Sequence, residues 1–533
     1  MMKFLFFFLL LTISFSVFAA DHNILAYGAK ADGKTINTRA IQAAIDKCSA
    51  EHGGRVIVPA GVFMSGTIVF KNDVELYLAK GAQIKGSPDS KDYPQPQSAD
   101  GKKPTWALIV ALDVHHIALT GRGTINGNGA AAAFQLGDDT APDYHGIRPN
   151  IITMVNCKDI EVLNIHLRNS AHWMETYVRC ENLHIKGVQV YNHANLNNDG
   201  IDIDSKNVLI ENCNIDSDDD GICLKSDDDN IPCENVTIRN CTVATNCGAI
   251  KFGTSSRSGF RNINISNITI HKASHDLFRH WQQHLKFVDQ PVTAIAGISI
   301  ENVDGGKTDN VTINNIVMDD VQTPIFIKLG KRGTTKSKDP ATFDPGYLHN
   351  VTISNVTAVS HSKITSSITG YPGYDVENVT LKNIRISTPG NGTAAEAAAP
   401  LPENETAYPE NRMFGVTLPA SGLYMRHVKG IVLQNITLQT LNTDARPQII
   451  MDDVKDAKIS QLNIVQSEIT NSAIKLVNCE NVLWLNPKVT KAPFAVLTVD
   501  GGKSSGIKVT GLKKPAGKIK IAATVPNGAV RVD

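Results

Sequence analysis

The sequence has no surplus of charge of either sign: Lys and Arg total 52, and Asp and Glu total 52. Nothing in the totals therefore points to nucleic acid or an acidic membrane surface as a partner. There is no second long apolar run after the opening "MMKFLFFFLLLTISFSVFAA". That opening has one Lys, then an apolar stretch short for a bilayer span, then small residues, which is the order of a secretory signal with cleavage near Ala19 or Ala20. No Cys stands at that point, which argues against a lipid anchor. A secreted or periplasmic protein with no membrane span after signal cleavage is expected. Cysteine is sparse: nine residues, an odd number, with Cys233, Cys241 and Cys247 lacking C-x-x-C spacing. A stapled disulfide scaffold and a zinc site are both disfavoured. Buried, stacked thiols with at most one bridge are expected instead.

What is present is a repeat. "RCENLHIKGVQVYNH", "DSKNVLIENCNIDSD", "PCENVTIRNCTVATN", "GFRNINISNITIHKA", "LHNVTISNVTAVS" and "VENVTLKNIRIST" each hold a short β-branched run, usually an Asn, and a second short run. This reads as strand, turn, strand. The period is about 23 to 28 residues between Asp159 and Asn262, too short for propeller blades and without the apolar spacing of helical repeats. The expected fold is all-β, a right-handed parallel β-helix whose inward Val, Ile and Leu side chains form ladders. Glycosylation sequons recur at Asn235, Asn264, Asn267, Asn310, Asn350, Asn355 and Asn378. Their regular place predicts a structural role, with the amide serving backbone groups at the turns. "NTRAIQAAIDKCSA" predicts a short N-terminal capping helix starting at Asn37. Interruptions at His271–Ala296 and Thr388–Arg412 read as loops on the coil. The expected divisions are a signal peptide over 1–20, cap and first coils over 21–100, a catalytic β-helix over 101–470, and last coils or a β cap over 471–533.

On stacked coils, residues about 20 to 28 apart in sequence become neighbours in space. Asp199 in "NNDGIDID" precedes Asp219 and Asp220 of "SDDDGICLKSDDD" by such an interval, and "NCGAIKFGT" follows on the next coil. Carboxyls brought this close cannot all ionise without penalty, so one is pushed towards its protonated form. Glycoside hydrolysis uses that division, one carboxyl acting as acid and others activating water. Asp227, Asp228 and Asp229 read instead as a solvated turn.

At these residues the chain resembles glycoside hydrolase family 28, the polygalacturonase family of pectin-cleaving enzymes. The family's N-T-D motif looks like "NND", Asn197 to Asp199, and its paired-Asp motif looks like Asp219, Asp220, Gly221 and Ile222. The resemblance implies Asp219 as general acid, Asp199 and Asp220 holding the attacking water, inversion at the anomeric carbon, and no metal or cofactor. Two positions depart from the family. Gly248 stands where the G-H-G motif has its His, and "FIK", Phe326 to Lys328, keeps the Lys of R-I-K without its Arg. Lys251 and, less strongly, Lys225 are the replacement cations available. Lys328, Lys251, Asn197, Trp173 and Tyr371 are the candidate substrate contacts; His172 and His193 lie on the coils just before Asp199.

The expectation is a monomeric glycosidase cleaving galacturonosyl or related linkages in pectin-type polysaccharide or oligosaccharides, with the two insertions favouring exo action. The rivals are a polysaccharide lyase on the same fold, with Ca²⁺ held by its aspartates, and a non-catalytic carbohydrate-binding solenoid.

Overall fold

The computed structural model describes residues 20–99, 101, 104–135, 146–275, 294–333, 343–465, 472–490, 495–512 and 518–533. The expected signal peptide over 1–20, apart from Ala20, and most of the insertion 271–296 lie outside them. Among the described residues no helix is long and apolar enough to cross a membrane.

The β-branched runs become strands because alternate side chains can be buried on one face while the backbone pairs with the coils on either side. Among the described residues the strands all pair in parallel, the antiparallel bridge Tyr371–Tyr374 lying outside the strands, and the chain forms a right-handed β-helix. One ladder runs Ile160, Leu183, Val208, Val236, Ile263, Val311, Val351 and Val379, each the register partner of the next. All eight are buried, and each stabilises the coil by roughly 1.5–3 kcal/mol. The wide steps from Ile263 to Val311 and from Val311 to Val351 absorb insertions without disturbing the register. The final strands continue the stack, with Ile449, Ile474, Leu497 and Ile519 in one column.

The repeated Asn residues mark the corners. Asn182, Asn207, Asn235, Asn262, Asn310, Asn350 and Asn378 all have φ between 55° and 58°, the left-handed region that Asn tolerates better than other side-chain-bearing residues. Their amides donate to side chains of the coil before rather than to the backbone: Asn182 to Asp159 and Asn350 to Asp309, the others to the preceding Asn. Asn235 donates to Asn207 at 3.0 Å, Asn262 to Asn235 at 3.1 Å, and Asn310 to Asn262 at 2.9 Å. A second Asn stack passes through Asn240, Asn267 and Asn315. The structural reading of the sequons therefore applies to the corners, but Asn264 is an exception. It lies mid-strand on the exposed outer face opposite Thr237.

The capping helix spans Thr38–Ala50 and turns Ile41, Ala44, Ile45 and Cys48 onto the first coils. Asn37 stands at its start but makes no side-chain cap; its Oδ1 accepts from the Lys30 N–H at 2.6 Å and its amide donates to the Thr35 carbonyl, pinning the entry turn. All nine cysteines are free thiols, eight of them buried and Cys247 half-buried, so no bridge forms.

Replacing Asn262 by Ala should cost about 1–2 kcal/mol through the left-handed corner alone, with additional loss from the broken amide stack. Replacing it by Gly should cost less. Urea denaturation of both variants checks the order, and an equal loss would show that the corner conformation is unimportant.

Candidate active site

Three successive turns are tied in phase by the backbone. The Met174 N–H donates to the Asp199 carbonyl (3.1 Å), the Gly200 N–H to the Asp220 carbonyl (2.8 Å), and the Gly221 N–H to the Gly248 carbonyl (2.8 Å). A Cβ on Gly200 would stand 2.4 Å from the Gly221 carbonyl oxygen, and one on Gly221 would stand 2.3 Å from Val243. Glycine after each acidic turn is thus what lets these coils close up. Asp199, Asp219 and Asp220 are brought to one cleft of about 590 Å³, with Trp173, Asn197, Lys225, Gly248 and Lys251 on its walls.

The adjoining strands Glu175–Lys186, Ile201–Glu211, Ile222–Ser226, Gly248–Ser256 and Ala294–Asn302, and the last part of Lys307–Leu329, supply the floor. Their outward column reads Thr176, Asp202, Cys223, Lys251, Ser299 and Phe326. Lys251 Nζ lies 2.8 Å from Asp220 Oδ2, and the Gly248 N–H donates to Asp220 Oδ1 at 3.0 Å. A Cβ on residue 248 would meet Asp220 Oδ1 at 2.9 Å and Lys251 Cβ and Cδ at 3.4 Å. The glycine in place of the family's His therefore leaves the room through which Lys251 reaches the carboxylate. Lys225 Nζ stands 3.1 Å from Asp202 and 3.8 Å from Asp199, and 5.1 Å from the centre of the Trp173 ring. Asn197 is held through its Oδ1 by Arg148 (3.0 Å).

These placements separate the carboxyls electrostatically. Burial pushes Asp199 well above the ordinary carboxylate range, reinforced by the charges of Asp202 and Asp219. Burial and the charge of Asp220 raise Asp219 to about 6. Burial works in the same direction on Asp220, but Lys251 and Lys225 outweigh it and hold that carboxyl below its usual value. Glu301, on the same wall, is raised to about 7 by burial against the pull of Lys251. Oxygens of Asp219 and Asp220 and the sulfur of Cys247 lie within 4.8 Å of one another, a spacing that suits a cation. The Lys251 ammonium already fills that electrostatic role.

Other expected contacts lie elsewhere. Lys328 faces outward like Phe326 but is 1% exposed; its ammonium donates to the Gly370 carbonyl at 3.1 Å and sits over Phe414, so it is covered there and does not line the cleft as a substrate contact. Tyr371 is 5% exposed and stacks on Tyr374 across a tight turn, away from the cleft walls. His172 is half-buried against Trp173, their ring centres 4.6 Å apart, and His193 pairs with Asp216 at 2.8 Å. Of the other acids in "SDDDGICLKSDDD", Asp218 is buried and accepts from Asn246 at 2.9 Å. Asp227 is exposed at the cleft rim.

Sequence reasoning did not place Glu301, Arg332, Tyr408, Glu410 or Asn411 in the cleft. Glu301 was within reach of the register, two residues beyond Ser299, the partner of Lys251. Tyr408 to Asn411 come from the insertion, which folds back across several coils. Tyr408 Oη lies 2.9 Å from Thr254 Oγ1, and the Asn411 amide donates to the Ile295 carbonyl and to Thr323. Farther along, Phe414, Leu418 and Ala420 pack on Tyr424 and Ile450.

The model of glycosyl hydrolases family 28 matches residues 48–404. The chain belongs to that family. An exo-poly-alpha-D-galacturonosidase from Dickeya chrysanthemi is 26% identical over 427 residues, 68% of this chain and 67% of the relative. An endo-polygalacturonase from Pectobacterium parmentieri is 24% identical over 377 residues, 67% of this chain and 86% of the relative. The solved family 28 exopolygalacturonase of Yersinia enterocolitica shares the fold, with TM-score 0.53 at 19% identity, covering 87% of this chain and 78% of that one. This family 28 chain is a glycosidase acting on O-glycosyl bonds.

Lys251→Met removes the nearer cation from Asp220, so the Asp220 carboxyl should rise and the acidic limb of the pH–rate profile should move up by about one unit or more. An unmoved limb would show that Lys251 does not set this charge. Glu175, inside the coil with Tyr177 Oη on its carboxyl at 2.6 Å, is raised by burial from 4.5 to about 8. A carboxyl raised on folding contributes stability that is full below about pH 4.5 and is lost as pH climbs through about 8. Denaturation at a series of pH values should show that fall, and Glu175→Gln should flatten it.

Proposed function

We propose that this glycosidase hydrolyses galacturonosyl linkages of pectin-type polysaccharide and its oligosaccharides from a chain end, with inversion at the anomeric carbon. Asp219 donates its proton to the glycosidic oxygen as the bond to the anomeric carbon breaks. Asp220, kept ionised by Lys251, takes a proton from the water that attacks the opposite face, and Asp199 helps hold that water. The observation that carries the reading is the split within one buried cleft: two carboxyls pushed up beside a third held down. The polygalacturonase names of the relatives support the substrate. The insertion supports exo action, because Tyr408, Pro409, Glu410 and Asn411 stand across the C-terminal side of the cleft and the apolar cluster around Phe414 fills the coils beyond. The leader over residues 1–20 supports export to the periplasm or the medium.

Digestion of homogalacturonan followed by NMR should show terminal sugars released with the anomeric configuration inverted, with little early loss of viscosity. Asp219→Asn should lower kcat by about 100-fold or more. Products with an ultraviolet-absorbing double bond would instead select a lyase, and retained configuration would refute the roles given to the three aspartates.

A further inference from the structure

Among the described residues, three groups of acid, His and Cys side chains hold their ligand-type atoms within 4.8 Å of one another: Asp219, Asp220 and Cys247; Asp375, His427 and Asp453; and Asp73, His115 and His116. A lysine ammonium neutralises the first two. Lys251 lies 2.8 Å from Asp220, and Lys455 lies 3.1 Å from Asp375 and 3.8 Å from Asp453. The third has no such cation: among the described residues Asp73 forms an ion pair with His116 alone. This group stands on the outer face of the first coils. Asp73 and His116 line a groove of about 730 Å³ whose floor is Ala118, set in register between Glu75 and Glu161.

Asp73, His116 and Asp159 extend the left-handed corner column of Asn182 and Asn207, with φ of 63°, 51° and 55°. Where Asn follows Asn, each amide donates to the side-chain oxygen of the coil before. Here two carboxylates flank one imidazole. His116 Nδ1 is 3.1 Å from Asp73 Oδ1, and its Nε2 is 3.4 Å from Asp159 Oδ2. A neutral imidazole carries a single N–H. When Nε2 donates to Asp159, the Nδ1 lone pair meets a carboxylate oxygen, and a cation bound to both turns that repulsion into attraction. Ligand atoms about 2.0–2.2 Å from a tetrahedral zinc ion are about 3.3–3.6 Å apart, so the pair needs to open by only a few tenths of an ångström. A carboxylate on the far nitrogen is also what fixes the tautomer and raises the basicity of a metal-bound His. His115, its ring centre 4.9 Å from that of His116, supplies the third ligand.

We infer that Asp73, His115 and His116 form a surface site for a divalent transition-metal ion of the zinc or nickel type, with Asp159 supporting His116 from behind and water completing the coordination. Two imidazole nitrogens and one carboxylate select such ions over Mg²⁺ and Ca²⁺, which favour all-oxygen sets. Asp73 and the two histidines come from neighbouring coils, so the bound ion clamps the N-terminal coils together at a corner that is no part of the catalytic cleft.

The test is calorimetric titration of the full-length protein, free of any polyhistidine tag, with zinc, nickel and calcium chloride at neutral pH. One Zn²⁺ or Ni²⁺ per chain should bind in the micromolar range, and Ca²⁺ should not bind at this site. His116→Asn, which suits the left-handed backbone and keeps a donor for Asp73, should abolish that binding. Asp159→Asn should weaken it by about 10–100-fold without touching a ligand, an effect that a merely structural role for Asp159 would not produce. Asp219→Asn should leave the affinity unchanged, which separates this site from the catalytic carboxyls. Zn²⁺ should also raise the thermal unfolding midpoint of the wild type and not that of His116→Asn. Absence of one-to-one Zn²⁺ binding, or binding that survives His116→Asn, would overturn the assignment.

Discussion

Parallel hydrogen bonding between coils fixes where every side chain of this protein can go. Once the Gly200 N–H is bonded to the Asp220 carbonyl and the Gly221 N–H to the Gly248 carbonyl, the acidic turns must lie one above another, whatever their charges prefer. The ladders of Val and Ile supply the free energy that holds this arrangement, and the left-handed Asn corners let each coil close without slipping register. Repulsion among the stacked carboxyls is therefore imposed by the scaffold. The chain answers it with protonation and with buried ammonium groups.

The cation beside Asp220 depends on two positions together. A glycine at residue 248 and a lysine at residue 251 act as a pair: the first clears the space, and the second crosses it to Asp220. Lys225 serves Asp202 and Asp199 on the coils before. The result is a division of acidity across a few side chains, from Asp220 held below its ordinary range by Lys251 and Lys225 to Asp199 pushed well above it by burial and neighbouring carboxylates. Acid and base catalysis at one pH requires such a difference, and here two lysines on neighbouring outward positions produce it.

The repeat made the coil readable because period and burial are local properties of short runs. The same phase places Asp199, Asp219 and Asp220 together, and one coil further it reaches Glu301. It failed where long side chains or long loops decide the outcome. Lys225 ranks below Lys251 as a cation on sequence grounds, yet two acids and an indole hold it in the wall. Lys328 and Tyr371 sit on the right coils but do not line the cleft: Lys328 is buried beneath Phe414 and Tyr371 is stacked on Tyr374. Tyr408 and Asn411 approach partners 154 and 116 residues away along an insertion that has no period.

Site-resolved carbon NMR titration of the aspartate carboxyls in the uncomplexed protein tests the central claim most directly. The account predicts that Asp220 stays ionised below the ordinary aspartate range while Asp199 and Asp219 retain protons above it, in steps that belong to the coupled group. Three carboxyls titrating together near 3.8, the ordinary value, would contradict it, because stacking would then have brought the residues together without dividing their charge.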